Sequence, residues 1–124
     1  PGEFARLAGV ATHEVVTHRE ELATRFAART GVVLLLKGAQ TVVTDGRRLY
    51  RNSTGNPGMA TGGSGDVLTG VVAALLAQGL APFDAAVLAA WVHGRAGDLA
   101  AAALGQTGLT AADLPDALPA AFRE

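Results

Sequence analysis

The spacing of hydrophobic residues along the first third of the chain predicts a helix followed by a strand. Apolar positions recur at helical spacing over residues 18–30, and Gly31 ends the pattern. Thr17 and, three positions later, Glu20 have the spacing of a capping box at the start of this helix. The run 32–36 is continuously apolar, too short for a helix and rich in branched side chains. We therefore predict a strand there, buried on both faces.

The middle of the chain predicts a hairpin, a loop and a helix. Extended segments at 41–44 and 47–50 flank Asp45 and Gly46, which predicts a hairpin with a two-residue turn. Residues 51–65 hold five of the sixteen glycines and predict an irregular loop. A helix should follow this loop, because an apolar helical pattern begins near Asp66 and lasts until Gly79. The other predicted helices are a short one from Glu3 to Ala8, a long one from Pro82 to Ala103 and a brief one capped within Thr110–Asp113.

Three strands are too few to cover a strand as apolar as 32–36. We therefore expect a mixed α/β fold in which residues 1–124 form the C-terminal part of a single larger domain, its other strands lying upstream. The missing initiator methionine agrees with this expectation.

Composition excludes several classes of function. The 124 residues are 49% hydrophobic and 17% charged, which is typical of one soluble globular domain. Ten basic residues against eleven acidic ones give no electrostatic footprint for nucleic acid or an anionic membrane, so neither is an expected partner. Without cysteine there is no disulfide, thiolate metal site or cysteine nucleophile. The longest apolar runs are far shorter than the roughly 20 residues of a bilayer span.

The clearest chemical signal is a glycine-rich turn at a predicted helix N-terminus. Gly62, Gly63 and Gly65 lack Cβ atoms, so their N–H groups and those of the first helical turn can face an anion such as a phosphate chain. Asp66 would repel a phosphate unless it acts as a base toward an attacking hydroxyl or holds a cation. A lone Gly-x-Gly-Asp is equally typical of a tight connector followed by an ordinary acidic first turn, but the glycine cluster here is denser.

A second candidate element for nucleotide binding comprises Lys37, Gly38, Ala39, Gln40 and Thr41. It lies at the C-terminal end of the predicted apolar strand, where open α/β sheets bind their ligands. Alone, Lys37 would be read as a solvated residue at a strand end. Two such elements on one sheet edge favour a nucleotide.

These motifs together resemble one family, the ADP- or ATP-dependent NAD(P)H-hydrate dehydratases of the ribokinase-like superfamily. The matching runs are Lys37-Gly38-Ala39-x-Thr41, Gly55-Asn56-x-Gly58-Met59-Ala60-Thr61-Gly62-Gly63-Ser64-Gly65-Asp66-Val67-Leu68, the opening Pro1-Gly2-Glu3 and His93-Gly94-x-Ala96-Gly97-Asp98. Sugar kinases of the superfamily have Asp where Ala60 stands, which favours the dehydratase. The family's His before Pro-Gly-Glu, which contacts the hydrate, is not included in the chain. The resemblance covers the family's C-terminal half or so.

The resemblance implies a ribokinase-like three-layer α/β/α sandwich and a hydro-lyase that repairs hydrated NADH or NADPH at the expense of ADP or ATP with Mg²⁺. Bacterial members use ADP. Asp66 would be the catalytic base and contact the hydrate, and the amides of Gly62, Gly63, Ser64 and Gly65 would form the anion hole. Lys37 to Thr41 and Gly65 would bind the nucleotide, while Asn56 and Thr61 would shape the loop. We expect a cytoplasmic homo-oligomer without a protein-bound metal site, and weak or no activity from these 124 residues alone.

Two other functions stay open. A kinase of the same superfamily acting on a small vitamin precursor would use Asp66 in the same way. The chain could also be a non-catalytic nucleotide-binding fragment.

Several other polar residues are predicted to be structural. The histidines at 13, 18 and 93 share no metal-ligand spacing, and the arginines at 47, 48 and 51 are predicted to guard a solvated sheet edge. Asp98, Asp113 and Asp116 are predicted to be surface or capping groups.

Overall fold

The computed structural model describes residues 1–124, which divide into two compact units, Pro1–Arg51 and Asn52–Glu124. The first unit contains α1 (Gly2–Ala8), α2 (Thr12–Thr17), α3 (Arg19–Thr30), β1 (Leu34–Leu36), β2 (Val42–Thr44) and β3 (Leu49–Arg51). The second contains a 3₁₀ turn (Pro57–Met59), α4 (Ser64–Ala77), α5 (Pro82–Leu104) and α6 (Asp113–Phe122). The predicted helices near both ends of the chain and the single long helix are thereby confirmed.

The helices of the first unit pack around a small apolar core in which Phe4 meets Phe26 edge to face, with ring centroids 5.4 Å apart. The prediction of a capping box at Thr17 was wrong, because Thr17 ends α2 and its hydroxyl donates to the His13 carbonyl. His18 instead provides the N-cap of α3. The sequence pattern missed α2 because it is only six residues long.

The three strands form one antiparallel sheet in the order β1-β2-β3. The prediction that residues 32–36 form a strand buried on both faces was wrong in this unit. The strand comprises only Leu34–Leu36, and Val32 is 44% exposed. β1 lies at the edge of the sheet with a neighbour on one side only, whereas the central strand β2 is buried throughout. Leu36 is the buried residue of β1.

The hairpin between β2 and β3 is present, but its connection has four residues, 45–48, rather than two. Asp45 explains the longer turn, because its carboxylate accepts the N–H groups of Arg47 and Arg48 at 2.9 and 2.7 Å. Gly46 is required at its position, since it has a φ of 93° and a Cβ there would lie 2.6 Å from the Cα of Ala28. The hydrogen bonds that the Asp45 carboxylate accepts from these N–H groups therefore favour a four-residue connection over a two-residue turn.

The turn carboxylate predicts a pH-dependent stability. The backbone N–H groups of Arg48 and Arg47, followed by the Arg48 guanidinium, hold the pKa of Asp45 far below its ordinary value. A lowered folded-state pKa means that the stabilisation is complete above the unfolded pKa, about 4, and is lost as the pH falls through the folded pKa. Asp45→Asn should therefore lower the urea midpoint at pH 7, and the difference from wild type should shrink below about pH 4. A difference that is constant from pH 7 to pH 2, or one shared by exposed Asp116→Asn, would contradict this.

The second unit is built from three helices, with α5 packing on both α4 and α6. The buried face of α5 is rich in alanine and glycine, so neighbouring segments approach its backbone closely. Arg95 of α5 forms a bidentate ion pair with Glu124, with nitrogen–oxygen distances of 2.6 and 2.8 Å. None of the helices has the length and apolar character that a membrane span requires.

Candidate functional site

The N-terminus of α4 begins without a capping side chain. Its N-cap residue, Gly63, has a φ of 91° and a ψ of −16°, a left-handed conformation that favours glycine. The Gly63 carbonyl accepts the N–H groups of Asp66 and Val67 at 3.0 and 3.2 Å. The N–H groups of Gly62, Gly63 and Gly65 donate to no acceptor within the protein. Unpaired donors at the positive end of a helix are an arrangement that binds anions.

Asp66 is the third residue of α4 and its side chain is exposed. It lies at one end of a cavity of about 370 Å³ between α4 and α6, whose other lining residues carry no charge. These are Val67, Gly70, Val71, Ala74, Leu75, Gln78, Pro115, Leu118 and Phe122. An exposed carboxylate beside unpaired N–H donors can accept a proton from a hydroxyl that is brought to a bound phosphate.

The loop that precedes α4 is held along α5 by hydrogen bonds to backbone carbonyls. The Asn52 side-chain amide donates to the Ala90 carbonyl at 3.0 Å, and the Thr54 hydroxyl donates to the Trp91 carbonyl at 2.7 Å. Gly94 makes this approach possible, because a Cβ there would lie 2.7 Å from the Thr54 carbonyl carbon. The start of the loop is therefore fixed to α5.

Asp98 holds the next part of the loop, and its interpretation as a surface or capping group was wrong. Its Oδ2 accepts the N–H of Gly55 at 3.0 Å, and its Oδ1 accepts Nδ2 of Asn56 at 2.9 Å. Asn56 in turn accepts the N–H of Gly58 at 3.0 Å, within the 3₁₀ turn. Asp113 is the first residue of α6, and its Oδ2 accepts the N–H and hydroxyl of Thr110 just before the helix. The N-cap of α6 is Ala112, without a side-chain hydrogen bond.

The end of the loop is held by His93, which is 8% exposed. Its Nε2 lies 2.9 Å from the Ser64 carbonyl oxygen and 3.4 Å from the Ser64 hydroxyl. A carbonyl oxygen only accepts, so Nε2 carries the hydrogen. Thr61 contributes through its backbone, donating to Met59 and accepting from Ser64.

The second predicted element, Lys37 to Thr41, lies in the first unit as the connection between β1 and β2. The Arg19 guanidinium fills the inside of this connection and donates to the carbonyls of Leu36, Lys37 and Gln40 at 3.1–3.2 Å. Gly38 leaves the room for it, because a Cβ would lie 2.8 Å from the guanidinium carbon. The sequence gives no local signal for this role of Arg19, which is 17 residues or more from its partners.

Comparison with known proteins decides the family. Residues 1–120 match the family model described as NAD(P)H-hydrate dehydratase. The chain belongs to the NAD(P)H-hydrate dehydratase family. This confirms the family that the sequence motifs predicted.

Curated relatives of the dehydratase family are considerably longer than this chain. A bifunctional NAD(P)H-hydrate repair enzyme Nnr from Moorella thermoacetica is 53% identical over 99% of the chain, which spans 23% of that protein. An ADP-dependent (S)-NAD(P)H-hydrate dehydratase from Cenarchaeum symbiosum is 38% identical over 98% of the chain and 42% of its own length. The chain therefore spans between about a quarter and under half of these two relatives.

A solved structure of the family confirms the fold. The ADP/ATP-dependent NAD(P)H-hydrate dehydratase from Bacillus subtilis, co-crystallised with ATP and Mg²⁺, superposes with a TM-score of 0.93 at 36% identity. The superposition covers 99% of this chain and 45% of that one. The chain thus has the ribokinase-like dehydratase fold over the part that it spans.

Proposed function

We propose that the chain is the C-terminal part of a single ribokinase-like domain in a longer protein, here termed the parent protein. The parent protein would dehydrate hydrated NADH or NADPH with ADP and restore the reduced nicotinamide. The observation that carries the proposal is the set of three unpaired N–H donors beside the exposed Asp66 carboxylate at the start of α4. Family membership supplies the substrate class.

The proposed first step is phosphoryl transfer to the hydroxyl of the hydrated ring. Asp66 accepts the proton of this hydroxyl, whose oxygen forms a bond to the terminal phosphorus of ADP while the bond to the bridging oxygen breaks and AMP leaves. The N–H groups of Gly62, Gly63 and Gly65 stabilise the charge that develops on the transferred group. The Ser64 N–H, predicted from the sequence as a further member of the anion hole, instead donates to the Thr61 carbonyl at 3.3 Å. The ring then loses phosphate and one proton, which restores its double bond.

The nucleotide and its cation would be held by few protein groups. Lys37 to Thr41 and Gly65 are proposed to contact the adenine nucleotide. No group of three His, Asp or Glu side chains in the chain could hold a metal ion. Mg²⁺ keeps several of its waters and binds substrate phosphates, so it would accompany the phosphates of ADP without a dedicated protein site, and Asp66 stays available as the base. When bound, the cation would neutralise charge on the phosphates. We also propose a cytoplasmic, homo-oligomeric parent protein.

Product analysis tests this function against the related kinase. With hydrated NADH and ADP, the parent protein should regenerate the absorbance of the reduced nicotinamide ring and release one AMP and one phosphate per ring. A kinase for a vitamin precursor would instead give a stable phosphorylated product, and a nucleotide-binding module would give neither. Absence of regenerated NADH at saturating ADP would refute the dehydratase. The 124-residue chain alone should show weak or no turnover in the same assay.

A further inference from the structure

The two carboxylate oxygens of Asp98 each accept a hydrogen bond from the loop that leads to α4. We propose that Asp98 is a positioning residue, which sets the phosphate-binding amides of Gly62, Gly63 and Gly65 by holding the loop through Asn56. This inference rests on the proposed function, because it assigns those amides to a nucleotide.

The contacts form a continuous path from α5 into the loop. Asp98 binds the Asn56 amide nitrogen, and the Asn56 amide oxygen binds the N–H of Gly58 in the 3₁₀ turn. The turn continues to Ala60, whose N–H donates to the Pro57 carbonyl. The Asn56 side chain, which Asp98 holds, therefore fixes the start of the turn, while Met59 packs against Gly97 and Gly58 lies against the Gln106 backbone.

Beyond the turn, the Thr61 N–H donates to the Met59 carbonyl and the Thr61 carbonyl accepts the N–H of Ser64, so these hydrogen bonds are local to the loop. Gly62 is exposed, and a Cβ there would meet nothing within 4 Å. The next hydrogen bond to α5 is at the Ser64 carbonyl, which accepts from His93. The glycine segment is therefore a short bridge between two anchors on α5, one at Asp98 and one at His93.

The anchor at Asp98 requires an acceptor at both of its polar atoms. Both partners of Asp98, the Gly55 N–H and the Asn56 NH₂ group, are donors. An asparagine at position 98 has only one oxygen, so its own NH₂ group would face one of these donors. Exchanging the two side chains restores every bond. An amide at position 98 can accept from Gly55 and donate to a carboxylate at position 56, and that carboxylate still accepts from Gly58. The pair Asn56 and Asp98 therefore offers an exchange test.

The test compares D98N, N56D and the exchange variant N56D/D98N in the parent protein, with D116N as a control that removes an exposed charge from α6. Calorimetry gives the dissociation constant of ADP, and steady-state kinetics give kcat and the KM for hydrated NADH. D98N should weaken ADP binding and lower kcat by about tenfold each, while the hydrate KM stays within twofold. The exchange variant should recover both to within threefold of wild type, and D116N should match wild type.

The outcomes separate this inference from the proposed function. Unchanged ADP binding in D98N, or an exchange variant no better than the single variants, would overturn the positioning role. An equal fall in every parameter, including the hydrate KM, would also overturn it, since that is the result of general loosening of the fold. If the wild type binds ADP without regenerating NADH, the proposed function fails. The ADP dissociation constants of the four variants then still decide the role of Asp98.

Discussion

Replacing Asp66 by Asn should lower the kcat of the parent protein by about 10²- to 10⁴-fold, because the amide accepts no proton from the attacking hydroxyl. The ADP dissociation constant should stay within about threefold of wild type, since the main-chain donors of the anion hole are untouched. Asn and Asp have nearly the same shape, and Asp66 is exposed, so the fold should be retained. Steady-state kinetics together with calorimetry measure both effects.

Asp84 offers a matched control for this substitution. It is the third residue of α5 as Asp66 is the third residue of α4, and both carboxylates are exposed in the first helical turn. Asp84→Asn removes the same charge from the same helical position and should leave kcat within twofold. A wild-type kcat in Asp66→Asn, or an equal loss of kcat in Asp84→Asn, would show that Asp66 is not the catalytic base.

The second large effect concerns stability: Gly94→Ala should destabilise the second unit by about 3 kcal/mol. The added Cβ would lie 2.7 and 2.8 Å from the carbonyl carbon and oxygen of Thr54, which are backbone atoms with little freedom to move. Relief of the clash would also stretch the hydrogen bond from the Thr54 hydroxyl to Trp91. Urea unfolding followed by the fluorescence of Trp91, the single tryptophan, measures the loss.

Gly70→Ala is the control for the stability prediction. Gly70 lies in the interior of α4, and a Cβ there would meet nothing within 4 Å. Alanine should therefore stabilise the helix by about 0.5–1 kcal/mol. If the two variants unfold at the same urea concentration, the close approach of the loop to α5 is wrong.

The sequence predicted those features whose causes lie close together along the chain. Gly63 and Asp66 are three residues apart, and the helix start that they mark is present. Other predictions were wrong because a different local hydrogen bond formed. The Thr17 hydroxyl donates to the His13 carbonyl within α2 instead of capping α3, and the Asp45 carboxylate accepts N–H groups two and three residues later, which gives a longer turn.

Long-range partners account for the rest of what the sequence did not predict. Asp98 is 42 and 43 residues from the groups that it holds, and Arg19 is 17 to 21 residues from its three carbonyls. Neither separation leaves a periodic or local pattern in the sequence.

The most direct measurement is a crystal structure of the parent protein with ADP and Mg²⁺. We predict phosphate oxygens within hydrogen-bond distance of the N–H groups of Gly62, Gly63 and Gly65, with the Asp66 carboxylate facing the terminal phosphate. ADP bound away from the start of α4, with those three N–H groups still facing solvent, would contradict it.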